Sequence, residues 1–130
     1  MQKVFLGGTC NNSNWRDQLI PLLKIDYFNP VVENWTPDKQ AEEIEQRKIC
    51  DFCLYVITPR MEGVYAIAEL VDDSNKRPQK TIACFLTQDE GEKFSFTTLR
   101  SLKAVIDLLK VNGVVVYESL AEVATYLNKG

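Results

Sequence analysis

The sequence predicts an α/β domain in which helices cover both faces of a five-stranded parallel sheet. Short apolar runs alternate with helical segments along the whole chain, which is the pattern of β–α–β units. The run over residues 52–57 is almost continuously apolar, as in a strand that is buried on both faces. The length of 130 residues with 45% hydrophobic residues fits a single domain over residues 1–130.

The first strand and helix are predicted at residues 3–6 and 14–24. Ser13 is a plausible N-cap of that helix, and Pro21 kinks the helix or ends it early. Its apolar positions recur at helical spacing and are Trp15, Leu19, Leu22 and Leu23.

A short second strand at residues 26–28 precedes an irregular connection and then a polar, acidic helix. That helix begins at Thr36 or Asp38 and runs to about Ile49. We expect its inner face to carry the apolar residues Ala41, Ile44 and Ile49.

The remaining elements continue the alternation. After the third strand they are a helix that bears Glu69 and ends near residue 75, a strand at 80–86, a polar loop at 87–93, a helix at 97–111, a strand at 114–117 and a helix at 120–127. Asn112 and Gly113 are a good C-terminal signal for the long helix. Because crossovers between parallel strands are right-handed, the natural topology is a three-layer, flavodoxin-like (Rossmann-like) order.

Composition excludes several kinds of function. The net charge of −3 makes a nucleic-acid polymer an unexpected partner. No apolar run approaches the roughly 20 residues that span a bilayer, and the chain starts directly in a strand without a signal-peptide pattern. We therefore expect no membrane partner and a cytoplasmic location.

The residue types also limit the chemistry. There is no histidine, so a Ser-His-Asp triad and a Cys-His pair are impossible. Cys50 and Cys53 have C-x-x-C spacing, but they stand at a helix end instead of a helix N-terminus. Neither a redox pair nor a metal site is expected, and no cofactor is indicated.

A polar, glycine-led loop follows the first strand. In a parallel sheet, ligands bind beyond the carboxyl ends of the strands, where the strand order reverses. Gly7 and Gly8 allow close approach of the backbone, while Thr9, Asn11 and Ser13 supply hydroxyl and amide groups. The alternative is a tight turn with a helix cap. We favour ligand binding because the loop is more polar than capping requires.

Glu69 is the main candidate for chemistry. It lies on the helix after the third strand among apolar neighbours such as Ile67 and Leu70, although a helical glutamate is usually a solvated surface residue. An acid in an apolar stretch is generally either paired or functional. A carboxylate just beyond a strand's carboxyl end lies where α/β proteins have their active sites.

Four other residues have open alternatives. Trp35 either covers the core or stacks on a base, and Arg60 is either a solvated loop residue or an anion contact. Met61 is packing or pocket wall. Asp51, before the third strand, is by pattern a helix-to-strand turn residue.

Several stretches together resemble a known family. They are Val4-Phe5-Leu6-Gly7-Gly8, Trp15-Arg16-Asp17 with residues 19–23, Phe28-Asn29-Pro30-Val31-Val32 with Trp35, Cys50-Asp51, and Glu69-Leu70 ahead of Lys80-Thr81-Ile82. In order and spacing they are similar to the nucleoside 2-deoxyribosyltransferases and the related 2′-deoxynucleoside 5′-phosphate N-hydrolases. The likeness covers nearly the whole chain and is nearest to the small nucleoside 2-deoxyribosyltransferase-like branch.

The resemblance implies a flavodoxin-like enzyme of nucleotide metabolism. It implies that Glu69 is the nucleophile, that Asp51 helps to hold the nucleoside, and that the loop with Gly7, Gly8, Thr9 and Ser13 holds the sugar or a 5′-phosphate. It also implies a homo-oligomer in which residues 94–98 complete a neighbouring site. Relatives often carry a first-strand tyrosine where this chain has Phe5, and the Gly-x-Gly step before the glutamate is missing.

The implied reaction is cleavage or transfer of a nucleoside N-glycosidic bond. Attack by Glu69 would give a covalent glycosyl-enzyme intermediate, as in retaining glycosidases, and Asp51 or a water would protonate the leaving base. The alternative is a domain that binds a nucleotide or flavin without chemistry and acts as a sensor. A receiver-like module or a family member acting through protein contacts are further alternatives.

Overall fold

The computed structural model describes residues 1–129 and is an α/β fold with one five-stranded parallel sheet. The strands are β1 (Lys3–Gly8), β2 (Asp26–Phe28), β3 (Phe52–Ile57), β4 (Thr81–Phe85), β5 (Gln88–Asp89), β6 (Glu92–Lys93) and β7 (Val115–Tyr117). The helices are α1 (Trp15–Leu19), α2 (Pro37–Ile49), α3 (Tyr65–Lys76), α4 (Phe96–Val111) and α5 (Leu120–Leu127).

The main sheet has the order β2-β1-β3-β4-β7, with every neighbouring pair parallel. This confirms the flavodoxin-like prediction. The order reverses at β1, so the segments after β1 and β3 meet at the carboxyl edge of the sheet.

Alternating side chains of the strands form one apolar cluster on each face. Leu6, Leu54 and Ile82 pack with α1 and α5 on one face, while Tyr55 and Phe85 pack with α3 and α4 on the other. Burial on both faces is the reason the central strands read as continuous apolar runs.

The first helix is shorter than predicted. It ends at Leu19 and continues as a 3₁₀ turn over Ile20–Leu22, because Pro21 supplies no N–H for an α-helical bond. The N-cap position is Asn14, one residue after the predicted Ser13, and it has no side-chain cap bond. Ser13 Oγ still accepts from the Trp15 N–H at 3.4 Å, and the Ser13 hydroxyl donates to Asp89 Oδ2 at 2.6 Å.

The inner face predicted for the second helix is also wrong. Thr36 caps α2 by accepting from the Lys39 N–H at 3.2 Å, but Ile44 and Ile49 are 43% and 59% exposed. The buried helical residue is Arg47. The face of α2 turned toward the protein is therefore polar, and the next subsection gives the reason.

The predicted polar loop at 87–93 is a small antiparallel hairpin of β5 and β6. Its turn uses Glu90 and Gly91, both with positive φ. Other boundaries agree within a few residues, and Gly113 adopts φ +89° at the end of α4 as the C-terminal signal predicted. In the described part of the chain, residues 1–129, no helix is long and apolar enough to cross a bilayer.

Candidate active site

A cavity of about 550 Å³ lies at the carboxyl edge of the sheet, beyond the ends of β1 and β3. Its volume is in the range of about 300–1,000 Å³ that is usual for small-ligand sites. The loop after β1, the connection between β2 and α2, the loop after β3, and the facing sides of α2 and α3 form its walls. The lining residues used below are Gly7, Gly8, Thr9, Asn11, Arg16, Val31, Trp35, Gln40, Glu43, Met61, Gly63, Tyr65 and Glu69.

The two glycines at the end of β1 are required by the neighbouring strand. A Cβ at Gly7 would lie 2.6 Å from the Tyr55 ring, and a Cβ at Gly8 would lie 2.2 Å from the Val56 carbonyl oxygen. Gly8 also has φ +116°, a conformation that L-residues rarely adopt. These glycines allow the loop to press against β3 and form the floor of the cavity.

Hydrogen bonds fasten the loop to its surroundings through Thr9. Its N–H donates to the Val56 carbonyl at 2.8 Å, and its Oγ1 accepts from the Thr58 N–H at 3.0 Å. The Thr9 carbonyl accepts from Trp15 Nε1 and from Arg16 Nη1, both at 2.7 Å. Thr9 thus lines the cavity, but its main role is to hold the loop against β3 and α1 through hydrogen bonds.

Glu69 lies on α3 and is only 8% exposed. Its carboxyl faces two side chains of α2, because long side chains of α2 reach across to α3 at this point. Glu43 lies beside it on the cavity wall, and Arg47 Nη1 lies 3.7 Å from Glu69 Oε2. Burial, followed by the charge and hydrogen bond of Glu43, raises the pKa of Glu69 to about 8, although Arg47 acts in the opposite direction.

Glu69 therefore keeps its proton near neutral pH, because burial and the neighbouring Glu43 both disfavour its charge. Glu43 and Glu69 both line the wall of the cavity. Two carboxyl groups in one site can divide the tasks of nucleophile and proton donor.

Sequence reasoning missed Glu43 because it assigned the apolar residues of α2 to the inner face. A signal was present. Gln40, Glu43 and Arg47 follow one another at i, i+3 and i+7 and so share one face of the helix. Because α2 has few apolar residues, this polar face was the alternative candidate for the face that packs against the protein.

The structure brings most of the predicted site residues together. Those that line the same cavity are Gly7, Gly8, Thr9, Asn11, Trp35, Met61 and Glu69. Glu69 thus shares a cleft with the glycine-led loop. Asn11 is exposed at the cavity rim.

Ser13 and Arg60 are not part of the cavity wall. Ser13 holds Asp89, while Arg60 Nε donates to the Asp89 carbonyl at 3.3 Å and Arg60 Nη1 donates to the Asn12 carbonyl at 3.2 Å. Both side chains fasten the hairpin of β5 and β6 to the loop after β1. The expected contact of these two residues with a ligand stays a prediction that the cavity lining does not support.

Asp51 lies at the opposite, amino edge of the sheet. It occupies the turn between α2 and β3, and its Oδ2 accepts from the Lys3 N–H at 2.8 Å. That position is about 15 to 20 Å from the cavity, because β3 has six residues and a strand rises about 3.3 Å per residue. The expected role of Asp51 at the nucleoside is therefore not supported, and Glu43 is the carboxyl that accompanies Glu69.

Phe5, where relatives often have tyrosine, is fully buried and stacks on Phe28 with ring centroids 5.9 Å apart. It offers Glu69 no polar group, and the polar contacts of Glu69 come from α2. The C-x-x-C thiols are buried beside the sheet, and burial raises the pKa of Cys53 to about 12. Such a thiol is a poor nucleophile.

The outer walls of the cavity are apolar and aromatic. Trp35 and Tyr65 are 62% and 61% exposed, and Val31 is 44% exposed. Flat apolar walls beside a deep polar end suit a ligand with a planar ring and a polar remainder.

A family model described as "Nucleoside 2-deoxyribosyltransferase like" matches residues 1–88. The matched segment runs from β1 into β5 and contains every residue that lines the cavity. No curated protein matches the chain at a significant level.

Proposed function

Since the chain belongs to the nucleoside 2-deoxyribosyltransferase-like family, we propose that it cleaves or transfers the N-glycosidic bond of a nucleoside or nucleoside 5′-monophosphate. Glu69 is the proposed nucleophile. The observation that carries this proposal is the buried Glu69 beside Glu43 in a cavity with aromatic walls.

The first step of the proposed mechanism uses both carboxyl groups. Glu69 passes its proton to the adjacent Glu43 and then attacks the anomeric carbon of the sugar as a carboxylate. A glycosyl ester bond forms as the bond to the base nitrogen breaks. The bonding electrons leave with the base, which takes the proton from Glu43. The intermediate is a glycosyl ester of Glu69 beside an ionised Glu43.

The second step releases the sugar. A water molecule or a second nucleobase attacks the same carbon and displaces Glu69. As it attacks, it gives its proton to Glu43. Water gives hydrolysis and a free sugar, whereas a second base gives a new nucleoside. Two displacements at one carbon retain its configuration.

The remaining lining residues are assigned by their chemistry. We assign the planar base to the space between Trp35 and Tyr65, with Met61 at its edge. We assign the sugar, with any 5′-phosphate, to the loop with Gly8 and Asn11. The loop residue Asn11 supplies amide donors and acceptors for that end of the ligand.

A second copy of the chain is the proposed partner that completes the cavity. Phe96 and Leu99, at the start of α4, are 76% and 43% exposed and lie one helical turn apart, and contiguous exposed apolar patches mark contact surfaces. Light scattering should give a mass above that of one chain. Phe96→Glu should lower the mass, and a monomeric wild type with full activity would contradict this assignment.

The activity test is a panel of deoxynucleosides and their 5′-monophosphates, followed by chromatography for free base. Free base alone indicates hydrolysis, and a new nucleoside after addition of a second base indicates transfer. Glu69→Gln is the control, and it should yield neither product. Saturable binding without any product would replace this proposal with the non-catalytic nucleotide- or flavin-binding alternative, for which flavin absorbance is a direct check.

A further inference from the structure

A buried ionic network lies behind Glu69 and is not used by the mechanism above. Its centre is Arg47, which is 7% exposed. Arg47 Nε and Nη2 donate to the two carboxylate oxygens of Asp73 at 3.2 and 2.9 Å. Arg47 Nη2 also lies 2.9 Å from Asp72 Oδ2. The remaining nitrogen, Nη1, is the one that approaches Glu69.

Asp73 holds Arg47 in a fixed orientation. It is fully buried, accepts from the Tyr55 hydroxyl at 2.5 Å, and is paired with the Arg77 guanidinium. A bidentate Arg–carboxylate pair with additional donors is rigid. The pKa values of Arg47 and Tyr55 both lie above their usual range. Burial lowers the pKa of Arg47, but its hydrogen bond to Asp73 and the nearby charges raise it further. For Tyr55, burial is the largest cause of the increase. Both groups keep their protons while Glu69 titrates.

We propose that Arg47 is a positioning residue that stabilises Glu69 as a carboxylate, the form that attacks the sugar. The inference rests on the proposed function, since only then does the charge of Glu69 matter. The cation stabilises negative charge on the carboxyl it touches, which is that of Glu69. Loss of the Glu69 proton at the start of the reaction thereby becomes easier.

The charged groups that face Glu69 oppose one another. From α2 come Glu43 and Arg47, from α3 comes Asp73, and β3 contributes the neutral phenol of Tyr55. Glu43 and Asp73 raise the pKa of Glu69, whereas Arg47 lowers it. Removing the charge of Arg47 should therefore raise the pKa of Glu69, whereas removing the charge of Asp73 should lower it.

The variants Arg47→Met and Asp73→Asn test this opposition. In each, the Glu69 carboxyl is titrated by NMR with ¹³C-labelled glutamate, and kcat and KM are measured against pH. Arg47→Met should raise the apparent pKa of Glu69 by about one unit and lower kcat about tenfold below that pKa, with recovery as the pH rises. Asp73→Asn should lower the apparent pKa, and KM should change little in either variant.

Arg77→Met is the matched control, because Arg77 pairs with the same carboxylate of Asp73 and makes no close contact with Glu69. It should cost stability without shifting the Glu69 titration. Arg47→Lys keeps the charge, so it should restore most of the pH profile. If Arg47→Met does not fold, Arg47→Lys and Asp73→Asn carry the test.

Equal shifts in the same direction for Arg47→Met and Asp73→Asn, or an unchanged titration in both, would overturn the role of Arg47. That result differs from failure of the proposed function. A wild type without turnover would rule out the proposed glycosyl chemistry. The NMR titration would still report whether Arg47 stabilises the Glu69 carboxylate.

Discussion

The two edges of the sheet use carboxylates for different purposes. At the amino edge, Asp51 is exposed and binds the Lys3 N–H, so water and a main-chain donor stabilise its charge. At the carboxyl edge, Glu69 is buried against a second carboxyl group. The difference shows that a carboxylate next to a strand is only as reactive as its surroundings make it. The solvated Asp51 carboxylate acts as a hydrogen-bond acceptor that fastens a turn. Burial beside a second carboxyl group instead raises the pKa of Glu69.

The largest expected effect is on activity at these two positions. Glu69→Gln should lower kcat/KM by about 10³-fold or more, because the nucleophile is removed. Asp51→Asn should leave kcat/KM within about threefold, since it affects only the amino edge. Base release measured by chromatography checks both. A comparable loss in Asp51→Asn would break the contrast between the edges.

The next largest expected effect is the loss of activity on replacing Glu43, the second carboxyl group of the site. Glu43→Gln should lower kcat by about 10²-fold or more, because a positioned general acid contributes about 10² to 10⁴. The loss should be much smaller for a nucleoside whose base is already cationic, such as an N7-methylated purine, since that base leaves without a proton. An equal loss for both substrates would show that Glu43 does not act as the acid.

The backbone gives a third contrast at the carboxyl edge. Gly8→Ala should destabilise the protein by about 2–3 kcal/mol, because the new Cβ would meet Val56 and the positive φ is strained. Gly63→Ala adds a Cβ that meets nothing within 4 Å and should change stability by less than about 0.5 kcal/mol. Chemical denaturation measures both. Equal stabilities would mean that the loop does not need its close approach to β3.

The smallest effect is a stability cost of the carboxyl pair. The folded state raises the pKa of Glu69 from 4.5 to about 8, so between these values the folded state binds more protons than the unfolded state. Stability therefore falls as pH rises through this window. Glu69→Gln should remove the slope and raise the stability at pH 8 relative to that at pH 5. Asp51→Asn should show no such gain, and denaturation at pH 5 and pH 8 compares them.

Glu69 and Glu43 illustrate how far the candidate site could be predicted. Glu69 stands out in the sequence because apolar neighbours on its own helix imply burial. Glu43 stands among other acidic residues on α2, and only its place on one helix face with Gln40 and Arg47 distinguished it. Ser13 and Arg60 are polar and lie in the loops after β1 and β3, next in sequence to residues that line the cavity. Their side chains, however, hydrogen-bond to Asp89 of the hairpin.

By itself the sequence determined the alternation of strands and helices and the layered fold, and the apolar neighbours of Glu69 indicated its burial. Those features follow from apolar periodicity and turn residues, which act over a few neighbouring positions. Only the tertiary structure decided that Glu43 and Arg47 meet Glu69, and that Asp51 faces the other edge. Such contacts depend on how α2 and α3 pack across β3 and on the length of that strand, and no local preference encodes either one.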